Sequence, residues 1–387
     1  MRILFYLPTP GGMTGAPRRL LTLAAGLKAL GASPIIVSEP GVPLLHAAEK
    51  AGLKTLPLPL GGLLNLRQGA LFGGGLRFRL RVAAALLRQQ LHFHGAVRAA
   101  NADVVWLRGS KGVAFGGLGL LLTRRPLIWD VDYELPSRGP VRLLHRLGLI
   151  LARRVVLQHD ASTAVFGSTL AARHCAKLKV LTPGIDVDSL KQLRESSPPR
   201  AADGRLHLLQ VGTLCDRKNQ SFTLDVLRRL PQETLERVEL SFAGAPHGQE
   251  YEPALRRKLD ELGLGDRVRF LGWRDDVHAL MLRSDLLIMP SRDEGVPNTV
   301  QEAMALGLPV LASDRGGIPD VLEHGSTGWV LPLDDPGPWA SILDRFVKET
   351  RILDSVAARA QAHAWSHFDT AAWCRRYLGL IEEACGR

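Results

Sequence analysis

The sequence predicts an α/β chain built from two doubly wound parallel-sheet domains, and three observations carry that expectation. Residues 284–330 read as strand, loop, helix and strand: the apolar run Leu286 to Met289 stops at Pro290, a polar loop continues to Pro297, a helix ends at Gly307, and Leu308 to Ser313 resumes the apolar pattern. A short apolar run bounded by proline suits a buried strand, and strands joined through a helix run parallel. Residues 2–38 repeat that order, with strands at 2–9 and 33–38 around a helix from about Arg18 to Leu30, closed by Gly31. Between the halves lies RESSPPRAADGR, residues 194–205, polar and proline-rich. A chain of 387 residues is comfortable for two domains. The expected division is a first domain over 1–190, a second over 191–362, and a helical C-terminal segment over 363–387.

Taken in order, the loop Pro10 to Pro17 is glycine-rich but lacks the G-x-G-x-x-G spacing, so it supports no nicotinamide or flavin fingerprint. Residues 61–98 alternate glycine turns with Leu, Phe and Arg, and Leu76 to Gln90 reads as a basic amphipathic helix. His92 and His94 in the same stretch read as structural. Strands follow at 103–107 and 126–131, ending near Arg108 to Lys111 and near Asp130 to Glu134. Residues 154–166 read as the last strand region of the first domain. The second domain opens with the strand Leu206 to Val211, then a loop bearing Arg217 and Lys218, then a helix from about Gln220. Further strands are read at 238–244 and 268–272. Asn298 has the character of an N-cap, with Gln301 completing a capping box; Gly307 fits the helix C′ position and Pro309 blocks continuation.

Composition narrows the function. No run of about 18 apolar residues exists, so no transmembrane helix is expected, and MRILFYLPTPGG reads as a first strand instead of a signal peptide. Cys175, Cys215, Cys374 and Cys385 are scattered, with neither metal-ligand spacing nor a disulfide framework, which points to a reduced, cytoplasmic setting. The net charge of +11 is uneven: residues 1–185 hold 24 Lys plus Arg against 7 Asp plus Glu, and the remainder 25 against 31. No acid falls between Glu49 and Asp103. Such asymmetry asks for an anionic partner of the first half: membrane lipid, a phosphorylated acceptor or nucleic acid.

The chemistry gathers in the second half. In parallel sheets, ligands sit beyond the carboxyl ends of the strands, where the loop 291–297 is expected. Glu294 in that loop and Glu302 in the following helix flank a helix N-terminus, a ready anion site, and carboxylates accept hydrogen bonds from sugar hydroxyls. Arg217 and Lys218 are two cations suited to a diphosphate. Together these point to a nucleotide sugar.

The stretch PSRDEGVPNTVQEAMALGLPVLASDRGGIPD resembles the donor-binding core of the retaining glycosyltransferases of family 4, whose fold, GT-B, sets two Rossmann-like domains across a cleft. Position 320 is Asp where that family more often has Glu. The resemblance implies that Glu302 holds ribose hydroxyls, that Glu294 contacts the donor sugar, and that the backbone at Gly295, Val296 and Pro297, leading to Asn298, touches sugar and diphosphate. Lys218-Asn219 is kept; Thr213 replaces a family arginine, for which Arg217 substitutes. Gly272, Trp273 and Arg274 resemble the base-contacting loop. Thr14, Gly15 and Ala16 stand where the family has a Gly-Gly pair near acceptor and donor phosphates. Asp130 or Asp132 stands where relatives place a catalytic-pocket His or Asp. The C-terminal helix crosses back to the first domain in such relatives, which would make Trp365, Phe368, Trp373 and Tyr377 packing anchors.

The function so implied is a retaining, metal-independent glycosyltransferase. It would move a sugar from a nucleotide-diphosphate sugar, UDP favoured and GDP possible, to a glycan or lipid-linked acceptor of a cell-surface polysaccharide or lipopolysaccharide. Glu294, Lys218 and one of Asp130 and Asp132 are its candidate catalytic residues. No cofactor or metal is expected; Asp130-Val131-Asp132 alone is a weak metal signal. The basic span, with Arg77, Arg79, Arg81 and Arg88, suggests either docking on an anionic inner-membrane face or a grip on an anionic acceptor. A sugar-nucleotide epimerase or hydrolase on the same scaffold is the alternative. A nucleic-acid-binding protein is a remoter one, for want of any helix–turn–helix, zinc or RNP pattern.

Overall fold

The computed structural model describes residues 1–9, 12–13, 15–64, 75–131, 140–198, 203–349 and 351–386. Thr14 and Asp132 therefore lie outside the described residues. The chain forms two compact units, one of Met1–Pro183 with Thr370–Arg387, the other of Gly184–Asp369.

The first unit holds seven strands: β1 (Arg2–Tyr6), β2 (Ser33–Ser38), β3 (Lys54–Pro57), β4 (Val104–Arg108), β5 (Leu127–Asp130), β6 (Arg154–Leu157) and β7 (Leu178–Val180). They pair in the order β3-β2-β1-β4-β5-β6-β7, and every pairing is parallel. Apolar residues dominate β1 and β4 because both faces of these central strands are covered. One face packs around Tyr6, Phe93 and Trp129, the other around Phe5, Trp106, Trp373 and Tyr377. Trp129 is fully buried, and its indole N–H donates to the Gly109 carbonyl at 3.1 Å, so its burial leaves no orphaned donor.

The second unit holds β8 (Leu206–Val211), β9 (Val238–Ala243), β10 (Val268–Phe270), β11 (Leu286–Met289), β12 (Val310–Ser313) and β13 (Trp329–Leu331). Their order is β10-β9-β8-β11-β12-β13, again all parallel. The order reverses between β8 and β11, which are neighbours in the sheet. Loops leaving those two strands at their carboxyl ends diverge there, the place where such sheets take ligands.

Several sequence expectations shift. The first helix spans Gly15–Ala29, so Gly15, Ala16 and Pro17 form its first turn instead of a loop; a proline there costs no hydrogen bond, since first-turn N–H groups lack intrahelical partners. The region 154–166 contains only β6, followed by the 3₁₀ segment Asp160–Phe166, and the last strand of the unit is β7. The basic helix runs on past Gln90 to Ala99. The units divide at 183/184 and 369/370 instead of 190/191 and 362/363. The helix Val187–Ser196 goes with the second unit because Val187 and Leu190 pack among Val300, Ala303 and Met304. The C-terminal segment is two helices, Arg351–His367 and Thr370–Cys385. The first stays in the second unit, where Trp365 donates to the Ala305 carbonyl at 3.0 Å. Thr370–Cys385 belongs to the first unit.

Candidate functional site

The helix Asn298–Ala305 begins where β11 and its loop end. Asn298 is its first residue, not its N-cap: Pro297 occupies that place, and its carbonyl accepts from the N–H of Val300 at 3.1 Å. The expected capping box therefore does not form, and Gln301 is instead fully buried. Pro297 has no side-chain acceptor, so the helix start carries no side-chain cap. At the far end Gly307 is in the left-handed region (φ +71°), with Leu308 N–H on the Ala303 carbonyl at 2.8 Å and Gly307 N–H on Met304 at 3.0 Å, the αL stop read from the sequence.

Two loops are joined in front of that helix. After β8, Gly212 takes φ +140°, a conformation that glycine adopts readily, and the stem of Lys218 lies across it. Asn219 sits buried at φ 57° and opens the helix Gln220–Arg228. Gln210 donates to the Lys218 carbonyl at 2.9 Å and accepts from Thr223 at 2.7 Å, which fixes the backbone carrying the lysine. The loop after β11 is tied to this one by Arg292 N–H on the Arg217 carbonyl at 2.8 Å and by the Arg217 guanidinium on the Asp293 carbonyl at 3.1 Å.

Glu294 is the centre of the join. Lys218 Nζ lies 2.5 Å from its Oε1 and Arg217 Nη1 3.3 Å from its Oε2, while the carboxylate itself is only 6% exposed. The lysine approaches Oε1 off the hydrogen-bonding direction, so this oxygen is compensated by charge and keeps unused acceptor capacity. Ser291 Oγ and Asp293 Oδ1, on the same loop, are likewise buried without an aligned partner among the described residues. Buried polar atoms are ordinarily paired, and three such atoms within four residues make this loop the candidate site. The Gly316-Gly317 turn backs the loop: a Cβ at Gly316 would lie 1.6 Å from the Glu294 carbonyl, and Gly317 N–H donates to the Gly295 carbonyl at 3.1 Å.

Glu302 faces His278 Nε2 at 3.5 Å, and that hydrogen bond raises the His278 pKa above the ordinary imidazole value despite partial burial. Val296 is buried. Gly272 turns at φ 65°, and its carbonyl accepts from Gly244 N–H at 2.8 Å. Beside it Trp273 is 70% exposed. The Arg274 guanidinium is engaged in two bonds of 2.7 and 2.6 Å with Asp276.

In the first unit, Asp130 ends β5 and is buried. Its Oδ1 accepts from Arg108 at 2.7 Å and its Oδ2 from the Tyr377 hydroxyl at 3.0 Å. Trp106 donates to the Tyr377 oxygen at 2.7 Å. Tyr377 is thus more than a packing anchor; burial and the Asp130 charge hold its hydroxyl well above the usual phenol pKa. Gly15 is exposed and a side chain there would meet nothing within 4 Å, which leaves room for close approach of a ligand. Arg77, Arg79, Arg81 and Arg88 are all exposed on the helix Leu76–Ala99. Among the described residues no three His, Cys, Asp or Glu side chains gather as a metal-ligand set, and no helix is long and apolar enough to cross a membrane.

Sequence reasoning missed Gln210, His278 and the role of Gly316. Gly316 had a signal in the Gly-Gly pair; Gln210, inside an apolar strand, had a weaker one.

Residues 192–363 match the family Glycosyl transferases group 1. The chain is 24% identical over 313 residues to the amylovoran biosynthesis glycosyltransferase AmsK of Erwinia amylovora, covering 78% of this chain and 70% of that protein. It is 25% identical over 228 residues to the putative colanic acid biosynthesis glycosyltransferase WcaL of Salmonella typhimurium, covering 56% of this chain and 54% of that one. Thus the chain aligns with about half the length of the latter relative. A crystal structure of Anabaena HepE in complex with UDP superposes with a TM-score of 0.79 at 21% identity, covering 99% of this chain and 100% of that one. The fold is therefore GT-B, and the second unit carries a group 1 glycosyltransferase domain. The resemblance read from the sequence to the family 4 glycosyltransferases holds at that level.

Proposed function

We propose that this protein is a retaining, metal-independent glycosyltransferase that draws on a nucleotide-diphosphate sugar, UDP favoured. The observation that carries the proposal is the Lys218–Glu294–Arg217 cluster, set on two joined loops at the carboxyl ends of β8 and β11 with unused acceptor capacity around it. A diphosphate leaving group gains charge as the glycosidic bond breaks, and two fixed cations stabilise that charge without a metal ion. Glu294 holds both cations in place and offers Oε1 to a sugar hydroxyl; Glu302 takes the ribose, and the loop at Gly272 to Arg274 takes the base. The exposed indole of Trp273 gives that loop a stacking face. HepE has been crystallised with UDP and with UDP-glucose, which favours uridine as the base.

The acceptor is a glycan or lipid-linked saccharide of a cell-surface polysaccharide or lipopolysaccharide, as the names of AmsK and WcaL suggest. The enzyme works from the cytoplasmic face. On the helix Leu76–Ala99, Leu76, Leu80, Leu87 and Leu91 are exposed, and at 3.6 residues per turn they share one stripe. Arg77, Arg81 and Arg88 fall along one side of that stripe and Arg79 along the other. This pattern suits a helix lying in an anionic membrane surface.

Thermal denaturation with a panel of nucleoside diphosphates and nucleotide sugars tests the donor reading, since a ligand bound to the native state raises the melting point. UDP and one UDP-sugar are expected to give the largest rise, and transfer of that sugar, with retained anomeric configuration, is expected to survive excess EDTA. No shift with any nucleotide would sink the donor site; rescue of EDTA-treated protein by Mg²⁺ or Mn²⁺ would overturn the metal-independent mechanism. Liposome co-sedimentation tests the membrane reading: binding requires anionic lipid, falls as salt rises, and drops when the four arginines become Gln.

A further inference from the structure

The first unit contains a second charged site at the end of its sheet opposite Asp130. A groove of about 740 Å³ opens beside the amino-terminal ends of β5 and β6. Arg124, Arg125, Arg153, Arg154 and Lys177 line it, and no Asp or Glu does. Two of these cations are held in place. Lys177 Nζ donates to the carbonyls of Leu149 and Ile150 at 3.1 and 3.2 Å, at the end of the helix Pro140–Leu151, and Arg154 reaches Glu383 at 3.4 Å. Arg124 stands in the left-handed region (φ 54°), a backbone conformation uncommon for a residue with a side chain, just after the turn Leu118–Leu122. Burial pushes the Lys177 ammonium below its usual pKa, and the Arg153 charge pushes it the same way. The groove therefore concentrates like charge, with Lys177 and Arg154 partly buried and Arg124, Arg125 and Arg153 exposed, an arrangement that an anion relieves.

The rest of the wall is aliphatic. Leu121 and Ile150 line the groove and are 61% and 65% exposed, and Leu122 beside them is 67% exposed. The turn bearing these leucines, Leu118–Leu122, packs on the basic helix: Gly119 N–H donates to Gln90 Oε1 at 2.8 Å. Cations and exposed aliphatic side chains lining one groove match a ligand that is a phosphate at one end and a hydrocarbon at the other.

We propose that this groove binds the phosphate group of a lipid, at a site separate from the donor site. Phosphomonoesters carry close to two negative charges at neutral pH, and arginine pairs bind them in bidentate fashion. The inference stands whether or not the donor reading does, because none of its residues is shared with the Lys218–Glu294–Arg217 cluster.

Isothermal titration of the full chain with short-chain phosphatidic acid, below its micelle concentration, tests it against inorganic phosphate and short-chain phosphatidylcholine. Saturable binding at one site per chain is expected for phosphatidic acid. In the double variant Arg125→Gln with Arg153→Gln that binding should weaken about tenfold or more, while UDP-induced thermal stabilisation is kept. A local readout accompanies it: Cys385 lines the groove and Cys175 is exposed elsewhere. Bound phosphatidic acid should slow alkylation of Cys385 and leave that of Cys175 unchanged. Inorganic phosphate binding as tightly as the lipid would overturn the lipid assignment and make a soluble phosphate the ligand. Equal binding of phosphatidylcholine, unchanged affinity in the folded double variant, or no protection of Cys385 would overturn the site altogether.

Discussion

Each unit buries one carboxylate beside a cation at the carboxyl end of a central strand or the loop that follows it, yet the two pairs are built differently. Asp130 has both oxygens in aligned hydrogen bonds, to Arg108 and Tyr377, and all three side chains are buried. Glu294 is equally buried, but Arg217 is half exposed and Oε1 lacks an aligned donor. A buried carboxylate with both oxygens bonded fixes structure; one with an oxygen to spare holds interaction in reserve for something that arrives later. On this comparison Asp130 ties Arg108 to the helix Thr370–Cys385, while the chemistry we propose is assigned to Glu294, Lys218 and Arg217.

The largest effect expected from breaking this contrast is on stability. Asp130→Ala removes the buried carboxylate that Arg108 and Tyr377 both bond, which should destabilise the first unit by about 3–5 kcal/mol, measured by urea unfolding followed through Trp106 and Trp129 fluorescence. A change below about 1 kcal/mol, with transfer abolished, would make Asp130 catalytic instead.

Lys218→Ala should show the opposite balance. Loss of a charge-assisted contact to the leaving diphosphate should raise the transfer barrier by about 1.5–3 kcal/mol, read as a fall in kcat/KM, with the melting point little altered because Arg217 still faces Glu294. Unfolding of this variant at ordinary temperature would show that the second pair is as structural as the first.

Tyr377→Phe sharpens the first half of the comparison. It removes one hydroxyl that accepts from Trp106 and donates to Asp130, at a cost of about 1–3 kcal/mol in stability, and donor-induced stabilisation should persist.

The smallest effect is electrostatic. His278 has its pKa raised by Glu302, so the bond contributes stability fully below the unfolded value of about 6.5 and loses it as pH rises through the higher folded value. Melting curves across that range should show a modest fall that His278→Gln removes; parallel curves for the two proteins would dismiss the pair.

Much of the second site was legible because its parts are local in sequence. Glu294, Glu302, Gly307 and the Gly-Gly turn lie within one unit of strand, loop and helix, and Lys218 follows a recognisable strand end. What escaped was tertiary. Tyr377 is 247 residues from Asp130, and nothing near either one announces the other. The capping box at Asn298 failed because Pro297 already supplies the carbonyl that begins the helix, so the same letters fit two phases. In the first unit, Gly15 and Ala16 read as loop because the glycine and proline around them punctuate loops more often than they begin helices.

The division at 183/184 and 369/370 means that the second unit is an insertion within the first. During synthesis, the ribosome completes the whole inserted unit before it makes the helix that covers Trp106 and satisfies Asp130. Until then the nascent first unit exposes an apolar sheet face and a half-made polar network, whereas the inserted unit already has all its strands. Folding on the ribosome should therefore run inside out, with the inserted unit native first and the first unit waiting for its final helix. Over that interval the N-terminal half is the part of the nascent chain that would depend on chaperones.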